Sequence, residues 1–242
     1  MRKIVRCVAY FMGYKNSWLS KKVDKYRFNK AIKKRRKEGH QGLENYGCEM
    51  LDQLFKAVSE ENVHLWLEFG TLLGAYRDKG FIGHDYDCDT GILASEYSLE
   101  FENTLMKYGF LRKHGVFMVD RQTGQEKLVE LTFTYKDFEV DMSFSFVENG
   151  KRKLYLLCQP RVPHNDNEYE LHEYEHDFPL PTNTVTINGH LYCAPNNTVG
   201  VLKNTYGESF MIPNPQWITT AQYDSVKILD FSKIYGTVYG KW

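Results

Sequence analysis

Residues 69–92 read FGTLLGAYRDKGFIGHDYDCDTGI and place a carboxylate at every second position, at Asp85, Asp87 and Asp89. Side chains alternate between the two faces of a β-strand, so these three carboxylates share one face. Like charges a few ångström apart repel and raise one another's pKa, and a bound divalent cation is the usual relief. Carboxylate oxygens suit Mg²⁺ or Mn²⁺, and Mg²⁺ commonly takes one or two carboxylates together with substrate phosphates. The stretch therefore predicts a site for a metal ion and a phosphate.

The pattern around these carboxylates predicts a strand, a helix and a second strand. Residues 64–69 are typical of a short strand closed by Gly70, residues 71–79 of a short helix, and residues 87–93 of the acidic strand. A helix N-terminus presents unpaired N–H groups and the positive end of the helix dipole, and both favour a phosphate. We therefore expect the turn at Gly70 and Thr71 to offer a phosphate site.

The rest of the chain predicts an α/β fold, of the α+β kind, with a mixed sheet flanked by helices. Helical periodicity covers residues 42–63, 98–108 and 197–206, and strand alternation covers residues 115–120, 127–135, 138–147, 153–158 and 185–192. Residues 160–185 are polar and contain prolines, which indicates a loop. At 242 residues the chain is long enough for one sizeable domain with an extension.

One of these strands supplies a third carboxylate. In residues 138–147 (FEVDMSFSFV) apolar side chains occupy one face, and Asp141 lies on the other face together with Glu139. Two carboxylates on one strand and a third from a neighbouring strand can hold a metal ion that positions a nucleotide's phosphates for attack. We expect Asp87, Asp89 and Asp141 to form this group, with Asp85 at its flank. The alternative is a solvated loop or a strand edge protected by charge.

Charge is divided unevenly along a chain whose net charge is zero. Residues 1–40 hold 14 Lys and Arg against two acidic residues, a balance of +12, so the remainder carries −12. This division predicts a basic helical extension at residues 1–40 and a catalytic domain at residues 41–242. The extension is either a solvated helix or an interfacial helix that makes peripheral contact with an anionic membrane. A nucleic-acid partner is not expected, because no recognised binding motif accompanies the charge.

Cysteine usage and hydropathy indicate the compartment. The five cysteines are scattered, odd in number and without CxxC spacing, which favours a reducing environment over a disulfide framework. No segment approaches the 18 or so apolar residues of a membrane span. The apolar run near the start is interrupted by Arg6 and followed by lysines, unlike a cleaved signal peptide. The expected location is cytoplasmic, at the inner face of a membrane if the extension contacts lipid.

A second motif, in residues 172–176, matches the pattern of a different class of enzyme. Residues 172–176, HEYEH, match the H-E-x-x-H pattern of zinc metalloproteases. That chemistry needs both histidines on one turn of a stable helix and a third ligand downstream. The segment lies in a Glu- and Asn-rich stretch between Pro163 and Pro179, and downstream only His190 remains. We interpret the match as a coincidence.

The segment GTLLGAYRDKGFIGHDYDCDTGI resembles the signature of the LicD family, approximately GTLLGxxRxKGFIPWDxDxDxG, which includes the fukutin-type proteins within the nucleotidyltransferase fold. The later segment LKNTYGESFMIPNP is similar to the family's closing pattern, and the resemblance covers about residues 45–215. Two departures stand out. Gly83-His84 replaces the usual Pro-Trp, and Tyr86 stands where an extra Asp is common.

The resemblance implies transfer of a phospho-alcohol, such as phosphocholine or ribitol phosphate, from a CDP-activated alcohol donor. The acceptor it implies is a hydroxyl of a lipid-linked or surface glycan precursor, of the lipopolysaccharide, teichoic acid or capsule kind. Asp87 and Asp89 would hold Mg²⁺ (or Mn²⁺) between the donor's phosphates. Asp141 would be a third ligand or the base that takes the acceptor's proton, so all three are candidate catalytic residues.

Five further positions are implied as substrate-binding residues. Gly70 and Thr71 would approach the phosphates, Arg77 would neutralise charge on CMP or the phosphoryl group, and Lys203 and Tyr206 would contact the donor. Two other functions stay open. One is nucleotidyl transfer from an NTP to a small molecule, and the other is glycan binding without catalysis.

Overall fold

A computed structural model of the chain describes residues 18–136, 138–160, 162, 164–177, 183–214 and 226–240. The first 17 residues of the predicted extension lie outside these ranges. A single helix, α1 (Trp18–Glu60), runs for 43 residues, so the predicted boundary between residues 40 and 41 falls inside one continuous helix. The division into two domains stays a prediction. No helix in the described part of the chain combines the length and apolar character needed to cross a membrane.

The second half of α1 is a core helix. Its buried side chains recur at spacings of three, four and seven, as on one face of a helix: Leu43, Met50, Leu51, Leu54, Ala57 and Val58. Glycines let the helix approach its neighbours closely. A Cβ added at Gly42 would lie 2.8 Å from Phe138 Cβ, and one added at Gly39 would lie 2.1 Å from the carbonyl oxygen of Tyr86. Helix α1 therefore packs directly on the segment that precedes the acidic strand.

Three shorter helices and eleven strands complete the described fold. The helices are α2 (Phe69–Arg77), α3 (Leu99–Lys107) and α4 (Thr198–Tyr206), with a short 3-10 helix at Ala94–Glu96. The strands are β1 (Leu65–Leu67), β2 (Asp87–Leu93), β3 (Phe110–Asp120), β4 (Glu126–Tyr135), β5 (Phe138–Glu148), β6 (Lys151–Cys158), β7 (Glu170–Asp177), β8 (Asn183–Ile187), β9 (His190–Ala194), β10 (Val226–Ile228) and β11 (Ile234–Tyr239).

Nine strands form one curled sheet in the order β10-β7-β6-β5-β4-β3-β11, with β1 and β2 joined beside β5. Strand β2 pairs with β5 in parallel, and the other pairs in this sheet are antiparallel. Strands β8 and β9 form a separate hairpin. The largest buried cluster joins α1, α2, α3 and α4 to one face of β2, β4 and β5. The predicted mixed sheet flanked by helices is confirmed.

The loop predicted at residues 160–185 is wrong for residues 170–177, which form β7 between β6 and β10. Its buried side chains alternate with more exposed ones, so His172, Tyr174 and His176 point inward. On a strand, residues four apart are about 13 Å apart. The HEYEH motif therefore cannot bring its histidines to one metal ion, in agreement with its interpretation as a coincidence.

Candidate active site

The register of two parallel strands brings the predicted carboxylates together. Asp89 of β2 stands directly beside Asp141 of β5, and Asp87 stands beside Glu139. Neighbouring strands lie about 4.8 Å apart, and directly paired residues on parallel strands point to the same face. Three carboxylates that are separated in the sequence by up to 54 positions (Asp87 to Asp141) thus share one small area of the sheet.

The first turn of α2 holds Asp89 in place. The backbone N–H of Gly70 donates to Asp89 Oδ2 over 3.1 Å, and the Asp89 N–H donates to Thr71 Oγ1 over 2.9 Å. Burial raises the pKa of Asp89 well above its ordinary value, and the negative charges of neighbouring carboxylates, led by Asp87 and Asp141, raise it further. Gly70 and Thr71 therefore support a carboxylate in this structure, and their contact with phosphates stays a prediction.

Asp85 lies closer to the group than a flanking position suggests. A Cβ added at Gly70 would be 3.0 Å from Asp85 Oδ2 and 3.3 Å from Asp89 Oδ2, so both carboxylates converge on the same glycine. Burial raises the pKa of Asp85 to about 6, and nearby basic side chains act in the opposite direction. The absence of a side chain at Gly70 leaves room for both carboxylates.

Glu130 is a further carboxylate near Asp141, and the sequence pattern did not predict it as part of the site. It lies on β4 opposite Ser143, whose hydroxyl is 3.5 Å from Glu130 Oε2. Burial and the charge of Asp141 raise its pKa well above the ordinary value. A signal for it existed, because Glu130 alternates with buried apolar residues in the strand sequence VELTFTY. Its place beside Asp141, however, depends on which strands are neighbours.

Thr132 and His114 extend the polar face across two more strands. Thr132 Oγ1 donates to Asp141 Oδ1 over 2.6 Å, and His114 Nε2 is 3.0 Å from the same hydroxyl oxygen. Neither residue was predicted as part of the site. Both are ordinary strand residues in the sequence, and only the pairing of β3, β4 and β5 places them in line with Asp141.

Arg77 ends α2, and its positive charge acts on Asp85. Its side chain is only 9% exposed, and its Nε and Nη2 donate to the two carboxylate oxygens of Asp78 over 2.8 and 2.7 Å. Hydrogen bonding to Asp78 and the negative charges of Asp78 and Asp85 raise the pKa of Arg77. The predicted cation is therefore a largely buried group, paired with Asp78 and close enough to Asp85 for their charges to interact.

Helix α4 brings the last two predicted residues to different places. Burial raises the pKa of Tyr206 well above its ordinary value, and the nearby charges of Asp89 and Asp85 add to the effect, so this side chain lies near the carboxylates. Lys203 is partly exposed, and its ammonium pairs with Glu208 Oε2 over 2.7 Å. Tyr206 therefore belongs to the neighbourhood of the site, whereas Lys203 forms an ion pair with Glu208, and its contact with a donor stays a prediction.

The donor chemistry of this area suits a hard divalent cation. Asp85, Asp87, Asp89 and Asp141 offer carboxylate oxygens whose mutual repulsion raises the pKa of Asp89, and a cation would relieve that repulsion. Within the described ranges, no three His, Cys, Asp or Glu side chains are arranged so that they could hold a metal ion as they stand. The donor types are those that such an ion prefers, and a metal ion at these carboxylates stays a prediction.

A sequence profile described as "LicD/FKTN/FKRP, nucleotidyltransferase domain" matches residues 62–197, more than half of the chain. The chain belongs to the LicD family. The matched residues carry α2, the acidic strand β2 and the strand β5 with Asp141. Membership of the LicD family thus rests on the same elements that assemble the carboxylates.

Relatives of this LicD-family chain include the mouse ribitol-5-phosphate transferase FKTN, which is 28% identical over 174 residues, or 70% of this chain and 34% of the mouse protein. An uncharacterised protein of Caenorhabditis elegans is 25% identical over 215 residues, covering 79% of this chain and 53% of the nematode protein. The chain thus spans between a third and about half the length of these curated relatives.

Among solved structures, the solution structure of the antibiotic-resistance factor ANT(2'')-Ia is similar to 72% of this chain and 78% of its own. The TM-score is 0.39 and the sequence identity 14%. A similarity at this level carries no weight for the fold or function of the LicD-family chain.

Proposed function

We propose that this protein transfers a phospho-alcohol, such as ribitol phosphate or phosphocholine, from a CDP-linked donor to a hydroxyl of a cell-surface glycan precursor. The observation that carries the proposal is the pairing of Asp89 with Asp141 beside the first turn of α2. Membership of the LicD family and similarity to a ribitol-5-phosphate transferase support the chemistry. Phosphoryl transfer needs positioning and charge stabilisation above all, and this cluster supplies groups for both.

Asp87, Asp89 and Asp141 would hold Mg²⁺ or Mn²⁺. Such an ion, when bound, neutralises negative charge on the donor's phosphate oxygens. Asp141 accepts the proton of the acceptor hydroxyl as the new O–P bond forms and the bond from phosphorus to CMP breaks. Arg77, whose guanidinium lies near Asp85, supplies positive charge for the departing CMP.

The experiment uses the purified protein with CDP-ribitol, CDP-choline or CTP, each with Mg²⁺, Mn²⁺ or EDTA, and measures release of CMP or pyrophosphate. We expect CMP from one CDP-alcohol and none in EDTA. Mutation of a residue that only supports a metal ligand typically lowers metal affinity or activity by about 10–100-fold. Asp89 is proposed as a ligand itself, so Asp89→Asn is expected to lower the rate by more than about 100-fold. The control is Asp166→Asn, an exposed aspartate of the segment before β7. An Asp89→Asn variant with unchanged activity would contradict the proposal.

The second candidate function is nucleotidyl transfer, because the description of the matched family profile names a nucleotidyltransferase domain. In that reaction an NTP would donate a nucleotidyl group to a small molecule at the same carboxylates. Pyrophosphate released from CTP, with no CMP released from CDP-alcohols, would support this function instead of the first.

We also propose that residues 1–40 keep the enzyme near a lipid-linked acceptor at the cytoplasmic face of a membrane. Their balance of +12 supports contact with anionic lipid, to which each Lys or Arg near the surface adds about 1 kcal/mol. Flotation with vesicles of phosphatidylglycerol and phosphatidylcholine tests this, with a variant lacking residues 1–40 and with pure phosphatidylcholine as controls. Undiminished flotation of the shortened protein would remove the proposed role.

A further inference from the structure

Three residues form a straight row across the middle of the sheet. His114 of β3 pairs with Thr132 of β4, and Thr132 pairs with Asp141 of β5. Residues paired in this way point to the same face, so the three side chains stand side by side. The row ends at the carboxylate that also stands beside Asp89.

The directions of the hydrogen bonds in this row follow from proton counting. A hydroxyl has one proton, and an ionised carboxylate only accepts. The Thr132 hydroxyl therefore donates to Asp141 Oδ1, over 2.6 Å, and its oxygen accepts from His114 Nε2, over 3.0 Å. With Asp141 ionised, His114 Nε2 therefore carries a proton. The 2.6 Å distance lies in the range of hydrogen bonds strengthened by a charge.

A β-bulge places His114 in the row. The pairing of β3 with β4 shifts between Arg112 and His114, so Lys113 is an extra residue. If β3 and β4 paired without this bulge, Lys113 and not His114 would stand opposite Thr132. Lys113 instead forms an ion pair with Glu139. Bulges commonly re-aim side chains beside active sites.

The Thr132 hydroxyl is buried, and its hydrogen bonds to Asp141 and His114 offset the cost of burying a polar atom. Thr132 is 1% exposed, and a valine would occupy the same volume without a polar atom to satisfy. From the other side, Thr90 Oγ1 donates to the backbone oxygen of Asp141 over 3.0 Å. Asp141 is thus held at its backbone by β2 and at its carboxylate by β4.

We propose that His114 and Thr132 are positioning residues that orient the Asp141 carboxylate as a ligand for the divalent cation. The inference rests on the proposed function, since it assumes that the site takes such an ion. It assigns no contact with substrate to either residue. Groups that orient metal ligands are commonly worth 10–100-fold in metal affinity or activity.

The experiment measures Mn²⁺ binding by the electron paramagnetic resonance signal of the unbound ion, together with kcat and KM for the donor. Thr132→Val is expected to weaken Mn²⁺ binding and lower kcat by about 10–100-fold, with little change in KM for the donor. Thr132→Ser, which keeps the hydroxyl, is expected to recover most of both. The matched control is Thr134→Val, because the Thr134 hydroxyl donates to the backbone oxygen of Leu111 and not to a carboxylate.

His114 gives an independent pair of variants if Thr132→Val does not fold. His114→Gln keeps an N–H donor, whereas His114→Leu removes it. The glutamine variant is therefore expected to bind Mn²⁺ more tightly than the leucine variant. Equal Mn²⁺ affinity in wild type and Thr132→Val, or equal losses in the serine and valine variants, would overturn the inference. A wild-type protein that binds no Mn²⁺ would overturn the proposed metal site itself, so the two failures are distinguishable.

Discussion

The ion pair between Glu68 and Arg152 anchors the helix that supports Asp89. Arg152 Nη1 and Nη2 donate to Glu68 Oε2 and Oε1 over 2.7 and 3.1 Å, and the two side chains are 1% (Glu68) and 3% (Arg152) exposed. Trp66 Nε1 donates to the same Oε2 over 2.6 Å. Glu68 is the N-cap residue of α2, and its backbone N–H donates to the Asp89 carbonyl. The pair therefore ties the start of α2 to strand β6.

Removing one partner leaves the other charge buried. We expect Arg152→Met to lower the free energy of unfolding by about 3–5 kcal/mol, because the Glu68 carboxylate loses its cation. Glu68→Leu leaves both the guanidinium and the Trp66 indole without their acceptor, so a loss of similar size is expected. In the double variant both charges are gone. The expected loss is then about 1–3 kcal/mol, set mainly by the unpaired indole N–H.

Urea unfolding followed by far-ultraviolet circular dichroism measures wild type, the two single variants and the double variant. The interaction energy from this cycle is expected to be about 3 kcal/mol or more. Lys151→Met is the matched control, since this neighbouring side chain is 45% exposed and its pairing with Asp177 is screened by water. Additive losses in the double variant, or an Arg152→Met loss no larger than that of Lys151→Met, would refute the reasoning.

Three further predictions concern the site and its neighbours. Because burial raises the pKa of Asp85 to about 6 from 3.8, the folded protein binds this proton more tightly than the unfolded chain, and stability falls as pH rises through that range. In urea unfolding without divalent ions, the free energy of unfolding of Asp85→Asn is therefore expected to exceed that of wild type by up to about 3 kcal/mol at pH 8 and by little at pH 4. An equal difference at both pH values would contradict this prediction. Gly70→Ala would place a Cβ 3.0 Å from Asp85 Oδ2, so we expect at least about a 10-fold loss of transfer activity at an unchanged melting temperature; full activity would exclude the crowding. Gly39→Ala would place a Cβ 2.1 Å from the Tyr86 carbonyl oxygen and is expected to cost about 1–3 kcal/mol, whereas a Cβ at Gly83 meets no described atom within 4 Å, so Gly83→Ala serves as the control.

Strand β7 shows where sequence patterns mislead. Its inward-facing residues include His172 and His176, which a hydropathy pattern counts as polar. The HEYEH segment does alternate with the period of a strand, and its glutamates take the more exposed face. The segment lies between β6 and β10 in the sheet, and this placement, a fact of the tertiary structure, is what buries the two histidines.

Strand β2 shows the opposite case. Its predicted bounds, residues 87–93, are those of the structure, since the acidic alternation and the glycine at position 91 leave little ambiguity. Helix α2 begins two residues earlier than predicted, at Phe69, so Gly70 lies within its first turn. That small difference decides that the Gly70 N–H supports Asp89.

The sequence by itself determined the chemistry of the site: carboxylates on one strand face, a glycine at the start of a helix, and a family signature that joins them. These features are local, because strand and helix periodicity are set by backbone geometry over a few residues. The tertiary structure decided which other side chains lie beside these residues. Asp85 and Glu130 join the carboxylates, and Thr132 and His114 support Asp141. Such contacts depend on strand order, register and a one-residue bulge, which follow from packing of the whole chain and not from any short segment.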